Sequence, residues 1–145
     1  MHATILRLTL PGLALAAMLA GGSVALAETV NLKADLKGSN EVPPNTAAGT
    51  GAAAITFDTA SKQLTWRITY SGLTGAPTAA HFHGPAAATA NAGVAVPIPN
   101  PATSPIAGSA TLTDAQAADL QAGRYSVNIH TAANPGGEVR GQVVK

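Results

Sequence analysis

The sequence predicts an all-β fold, an antiparallel Greek-key sandwich or barrel of about eight strands with one short helix. Three observations predict it. Apolar and polar residues alternate in many short runs, as in "QLTWRITY", where Leu64, Trp66, Ile68 and Tyr70 share one side and Thr65, Arg67 and Thr69 the other. Segments rich in Gly, Pro, Asn and Thr separate those runs, the punctuation expected between the strands of a sandwich or barrel. Only one stretch, "TLTDAQAADLQAGRY", breaks the alternation with the signals of a helix.

Taken in order, the chain begins with "MHATILRLTLPGLALAAMLAGGSVALA", which has a basic residue at Arg7, an apolar run from Leu8 to Ala20, and the small-residue ending Ala25-Leu26-Ala27. This is the pattern of a secretory signal peptide over residues 1–27, cleaved near Ala27 to leave a periplasmic or secreted domain over 28–145. The run contains Pro11 and Gly12 and falls short of a bilayer span, so no stable membrane anchor is expected. Strands are then expected at "VNLKADL", "GAAAITFD", "QLTWRITY", "TAAHFHG", "GVAVPI", "GSATL", "RYSVNIHT" and "GEVRGQVV". The four prolines of "VPIPNPATSP" remove ladder donors and confine that stretch to an exposed connection or an edge. Asp114 to Ala122 is expected to be helical, with Thr113 as cap, Gln116 three residues later, and Gly123 as terminator. No internal repeat or domain boundary is visible.

Composition narrows the functions. Removing Arg7 from the eight Lys and Arg leaves them equal in number to the seven Asp and Glu. A chain so balanced lacks the dense cationic face that nucleic acid requires. There is no cysteine. Disulfides, thiolate catalysis and thiolate metal ligands are therefore excluded, and packing, a metal or self-association into a homo-oligomer must stabilise the exported domain. Large side chains are few, with one Trp, two Tyr and two Phe.

The chemistry-bearing residues are the histidines. In an extended strand residues two apart share a face, so His81 and His83 project together, opposite Phe82. The same parity in "RYSVNIHT" places Ser126, Asn128 and His130 opposite Tyr125, Val127 and Ile129. All three histidines thus point away from their strands' apolar sides, which leaves three readings open. They are a solvated polar face, metal ligands, or hydrogen-bonded structural residues. Neutral imidazole is a common ligand for copper and for zinc, and an HxH strand offers two nitrogens to one ion without backbone strain, with a third His on a neighbouring strand to complete a site that keeps an open position. If "TAANPGGEVRGQ" forms a hairpin, Glu138 lies opposite His130 and Arg140 opposite Asn128. Glu138 is then placed to orient a ligating imidazole, and Arg140 to attract an anion to an open metal position. The alternative for this pair is an exposed Glu/Arg ladder of little energetic consequence. Ser126 shares the face with His130, but no acidic partner or nucleophile elbow accompanies it as a hydrolase would need.

The segments "NEVPP", "AAHFHGPA" and "LQAGRYSVNIHTAANPGGEVRGQ" together resemble a CHRD domain, the module first described in chordin and widespread in bacterial exported proteins. The resemblance extends from about Leu32 to Val143. Glu41, Pro43 and Pro44 match its early element, and His81, His83, Gly84, His130, Thr131, Asn134, Gly136, Gly137, Glu138, Arg140 and Gly141 its later ones. By analogy, HxH on a Greek-key scaffold with a further His and an Arg is similar to the copper centre of copper/zinc superoxide dismutases. Three histidines beyond the leader are too few for both metals of that family. The expectation is a mononuclear copper protein with ligands His81, His83 and His130, outer residues Glu138 and Asn128, and Arg140 steering superoxide or another small anion. Its competitor is a non-catalytic extracellular binding or adhesion module, with no metal or a structural one. The role of Glu41 is open.

Overall fold

Alternation is realised as strands over nearly the whole of the chain that the computed structural model describes, residues 26–145. The apolar run and most of the expected signal peptide lie outside the described residues. The strands are β1 (Thr29–Lys37), β2 (Thr50–Asp58), β3 (Gln63–Ser71), β4 (Pro77–His83), β5 (Val94–Pro97), β6 (Ile106–Thr111), β7 (Ser126–Thr131) and β8 (Val139–Gln142). They form one antiparallel sheet in the order β5-β4-β7-β8-β1-β2-β3-β6, curled into a nearly closed barrel. Crossovers place β4 beside β7, β8 beside β1 and β3 beside β6. The two edge strands, β5 and β6, are consecutive in sequence. Proline caps β5, as the missing donors require, and Ile98 adds one further bond, from its N–H to the Ala80 carbonyl at 3.0 Å.

One side of every strand fills the barrel. Leu32, Leu36, Ile55, Phe57, Leu64, Trp66 and Ile68 come from β1 to β3, and Phe82, Val127, Ile129 and Val139 from β4, β7 and β8. Trp66 meets Phe82 edge to face at 5.3 Å between ring centres, which joins the two halves across the interior. The helix α1 (Asp114–Gln121) seals one end with Ala117 and Leu120. Its capping box is as expected: the Thr113 hydroxyl accepts from the Gln116 N–H, and the Gln116 side chain accepts from the Thr113 N–H. The left-handed Gly123 (φ 71°) follows Ala122 at the C-terminus.

The other side of the strands divides the molecule. On β1, β2 and β3 it is open to solvent, with the regular exposed-buried alternation of a half-wetted sheet. On β7 every residue is buried. Two loops and a hairpin turn cover this polar face: residues 38–47, beginning with a short 3-10 turn at Gly38–Asn40, residues 84–93, and residues 132–137. Hydrogen bonds to main-chain carbonyls tie the cover down. Gln142 donates to Ala86 and Gly123, Arg140 to Ala90, and Asn91 to Val42.

Candidate metal centre

Strand pairing brings the site residues into rows. In β4, β7 and β8, His81 lies opposite Asn128 and Asn128 opposite Arg140, while His83 lies opposite Ser126 and Ser126 opposite Gln142. His130 sits one row further, opposite Ala79. The parity expected of the three histidines therefore holds, and adjacency of β4 and β7 converts it into proximity. Solvation does not hold: Asn128 and Arg140 are buried, and His130 is 9% exposed.

One ring nitrogen from each of His81, His83 and His130 lies within 4.8 Å of the other two. The ring centres are 5.4 Å apart for His81 and His83, 5.1 Å for His81 and His130, and 5.9 Å for His83 and His130. Main-chain carbonyls fix two of the rings. His83 Nδ1 contacts the Ala92 oxygen at 3.0 Å, and His130 Nδ1 the Pro135 oxygen at 3.0 Å. A ring whose Nδ1–H is donated to a carbonyl presents a bare Nε2 lone pair on its far side. For His130 that nitrogen faces His81 Nδ1 at 3.2 Å, and for His83 it is buried with no hydrogen-bond partner. Burial lowers the pKa of His81, and the charges of His130 and His83 lower it further. Burial likewise lowers that of His83, with the Ala92 bond opposing and His130 and Arg140 assisting. Both rings are thereby held in the neutral form that binds metals.

Glu138 has a different task from the one expected. The ladder ends at Ile129 and Val139, and the Glu138 N–H bonds the Ile129 carbonyl at 2.8 Å, so the expected pairing of Glu138 with His130 is not formed. Pro135 has taken the imidazole's second nitrogen, and the Glu138 carboxylate lies among Thr74, Thr131 and Asn134. Burial alone raises its pKa, and the bonds from Thr131, Thr74 and Asn134 outweigh that and lower it. Glu138 thus braces the hairpin that carries His130 against the β3–β4 connection. The exposed Glu/Arg ladder is also absent, since Glu138 and Arg140 are both buried. Arg140 donates through Nη1 to the Asn91 side chain at 2.9 Å and through Nη2 to the Ala90 carbonyl at 2.7 Å. His83, Asn91, Ser126, Asn128 and Arg140 line a small cavity of about 130 Å³ beside the histidines.

Sequence reasoning gave Glu41 no role. It is buried, and its Oε2 accepts from Asn128 Nδ2 at 3.2 Å. Together with Arg140, Val42, Pro44, Ala88 and Gln142 it also lines an outer cleft of about 460 Å³. Gly137 permits this arrangement. Its backbone is left-handed (φ 134°), and a Cβ there would come within 2.6 Å of both Asn128 and Glu41.

Fold and site together define a small antiparallel β-barrel module with a three-histidine cluster on a loop-covered outer face. The chain belongs to the CHRD domain family, whose model matches residues 32–143, from β1 to just beyond β8. No curated protein and no solved structure matches the chain. No helix among the described residues is long and apolar enough to cross a membrane.

Proposed function

We propose that this chain is an exported copper protein, with His81, His83 and His130 as ligands and an open coordination position, acting on superoxide. The CHRD assignment supports an extracellular setting, and the leader sequence supports export to the periplasm or medium. Two facts about one cluster carry the metal reading: His81, His83 and His130 each bring a ring nitrogen within 4.8 Å of the others, and His83 Nε2 is buried without a partner. A polar atom so placed is costly unless something binds it. The donor set fits copper. Three neutral imidazoles satisfy both of its oxidation states and leave room for a small ligand, whereas zinc, the second choice, would supply no redox chemistry.

Copper held there would supply one-electron transfer, and superoxide dismutation consumes two superoxide ions and two protons to give dioxygen and hydrogen peroxide. The chain's own residues do the remainder. Pro135 and Ala92 hold the His130 and His83 rings in register, and Glu138 holds the hairpin. Arg140 places a buried positive charge on the cavity beside His83, which attracts an anion and repels a cation.

A second reading, an extracellular binding module with a structural metal or none, draws on the outer cleft. Its volume of about 460 Å³ lies in the range of small-molecule sites. Metal analysis and electron paramagnetic resonance of protein from copper-supplied cells separate the two readings, followed by a superoxide assay on the same sample. Near-stoichiometric copper in a nitrogen-rich environment, with activity lost in Arg140→Ala while copper is retained, is the expected result. Protein that binds no copper and gains no melting temperature from copper or zinc would leave the binding module standing.

A further inference from the structure

Arg140 is 4% exposed and Glu41 6% exposed, yet neither is among the ion pairs of the described residues. Opposite charges buried close together would normally close on each other. Instead the guanidinium donates to Asn91 and Ala90, and the carboxyl accepts from Asn128 through Oε2 alone. Two acceptors then remain buried without a partner, Glu41 Oε1 and Asn128 Oδ1. They are neighbours, for both lie 2.6 Å from the point that a Cβ on Gly137 would occupy. Side by side, two bare acceptors repel. One proton on Oε1 turns the repulsion into a second hydrogen bond and satisfies both atoms at once.

We propose that Glu41 is a neutral carboxylic acid in the folded protein, closed on Asn128 in a cyclic acid–amide pair. The positive charge left uncompensated on Arg140 then makes the His83, Asn128 and Arg140 cavity a site for a small inorganic monoanion, with an affinity governed by the charge on Glu41. Arg140, on β8, is the cation facing Glu41. Lys37, exposed at the end of β1, pairs in register with Arg140, and His83, on β4, lines the cavity with it. Burial pushes the Glu41 carboxyl up to about 7, against the Asn128 hydrogen bond and the Arg140 charge, so its charge changes near neutrality. As pH rises through that value, the carboxylate cancels Arg140 and the anion is released. Because the folded value is raised, the linked stability is full at acid pH and is lost as pH rises through about 7.

The anion site shares Arg140 with the copper reading, but the test uses metal-free protein, so either can fail without the other. Bromide is titrated against the metal-free chain, following the Arg140 Nε–H and Asn128 amide signals by nuclear magnetic resonance. Its affinity is expected to fall about tenfold between pH 6 and pH 8.5, from the appearance of one nearby negative charge that compensates Arg140. Glu41→Gln preserves the cyclic pair with an amide in place of the acid, and is expected to bind at pH 8.5 as the parent does at pH 6. Arg140→Gln is expected not to bind. Infrared spectra of the unsubstituted protein, labelled at glutamate carboxyls, provide a check that needs no variant: a protonated-carboxyl band present at pH 6 and gone by pH 8.5. Bromide affinity that ignores pH, no bromide binding at any pH, or no such band at pH 6 would each overturn the proposal.

Discussion

The two halves of the barrel use the same alternating pattern to different ends. On β1 to β3 the polar residues, among them Lys33, Asp35 and Arg67, stand in solvent, and the strands are half-wetted surfaces over an apolar core. On β7 and β8 the residues of the same parity, Asn128, His130 and Arg140, are buried as well. Burying polar groups is unfavourable unless each finds a partner. The first half therefore gains stability from what it hides, and the second also confines reactive groups at some cost.

Removing one of the proposed copper ligands should break this contrast most severely. His81→Ala, His83→Ala and His130→Ala should each lower copper affinity by more than about 100-fold, beyond the 10- to 100-fold typical of an outer partner. Affinity equal to the parent's in all three, read by competitive chelation, would remove the site. Next comes Glu138→Ala, which strands the Thr74, Thr131 and Asn134 donors and should cost about 2–4 kcal/mol in chemical denaturation. Asp35→Ala on the open half, by contrast, should stay within about 0.5 kcal/mol. Acid titration sharpens the same point. The Glu138 pKa is lowered, so its contribution is present above the ordinary carboxylate range and lost as pH falls below it. Glu138→Gln should accordingly flatten the acid limb of the stability curve. A smaller effect, about 1 kcal/mol, is expected for Thr113→Ala, which removes the cap of α1. Smallest is Arg67→Ala on the wetted face of β3, within about 0.5 kcal/mol by thermal denaturation.

Much of this was legible in the residues. Alternation placed all eight strands, the capping box placed α1, and parity put the three histidines on one kind of face because strand geometry is strictly periodic. The opposition of Asn128 and Arg140 followed from the hairpin length. What periodicity could not reveal is what covers a face. The segment "GPAAATANAG" reads as a solvated loop, and its carbonyls, which anchor His83, Arg140 and Gln142, leave no trace in side-chain chemistry. Glu138 was misdirected for a related reason. Its partner Thr74 lies 64 residues away, on a connection whose position only the assembled barrel defines. The "EVPP" element marked Glu41 without a role, since its meaning depends on Asn128 and Gly137.

Side chains of the framework grip that covering loop by its main chain, at Ala86, Ala90 and Ala92. Apart from Asn91, which accepts from Arg140 and donates to Val42, the side chains between Ala86 and Ala92 take no part in that grip. A bulky residue at Ala88 or Thr89, both on the outer cleft, would narrow that cleft while the histidines, none of which lines it, keep their places. The shape of the cleft and the geometry of the histidine cluster are thus separately adjustable.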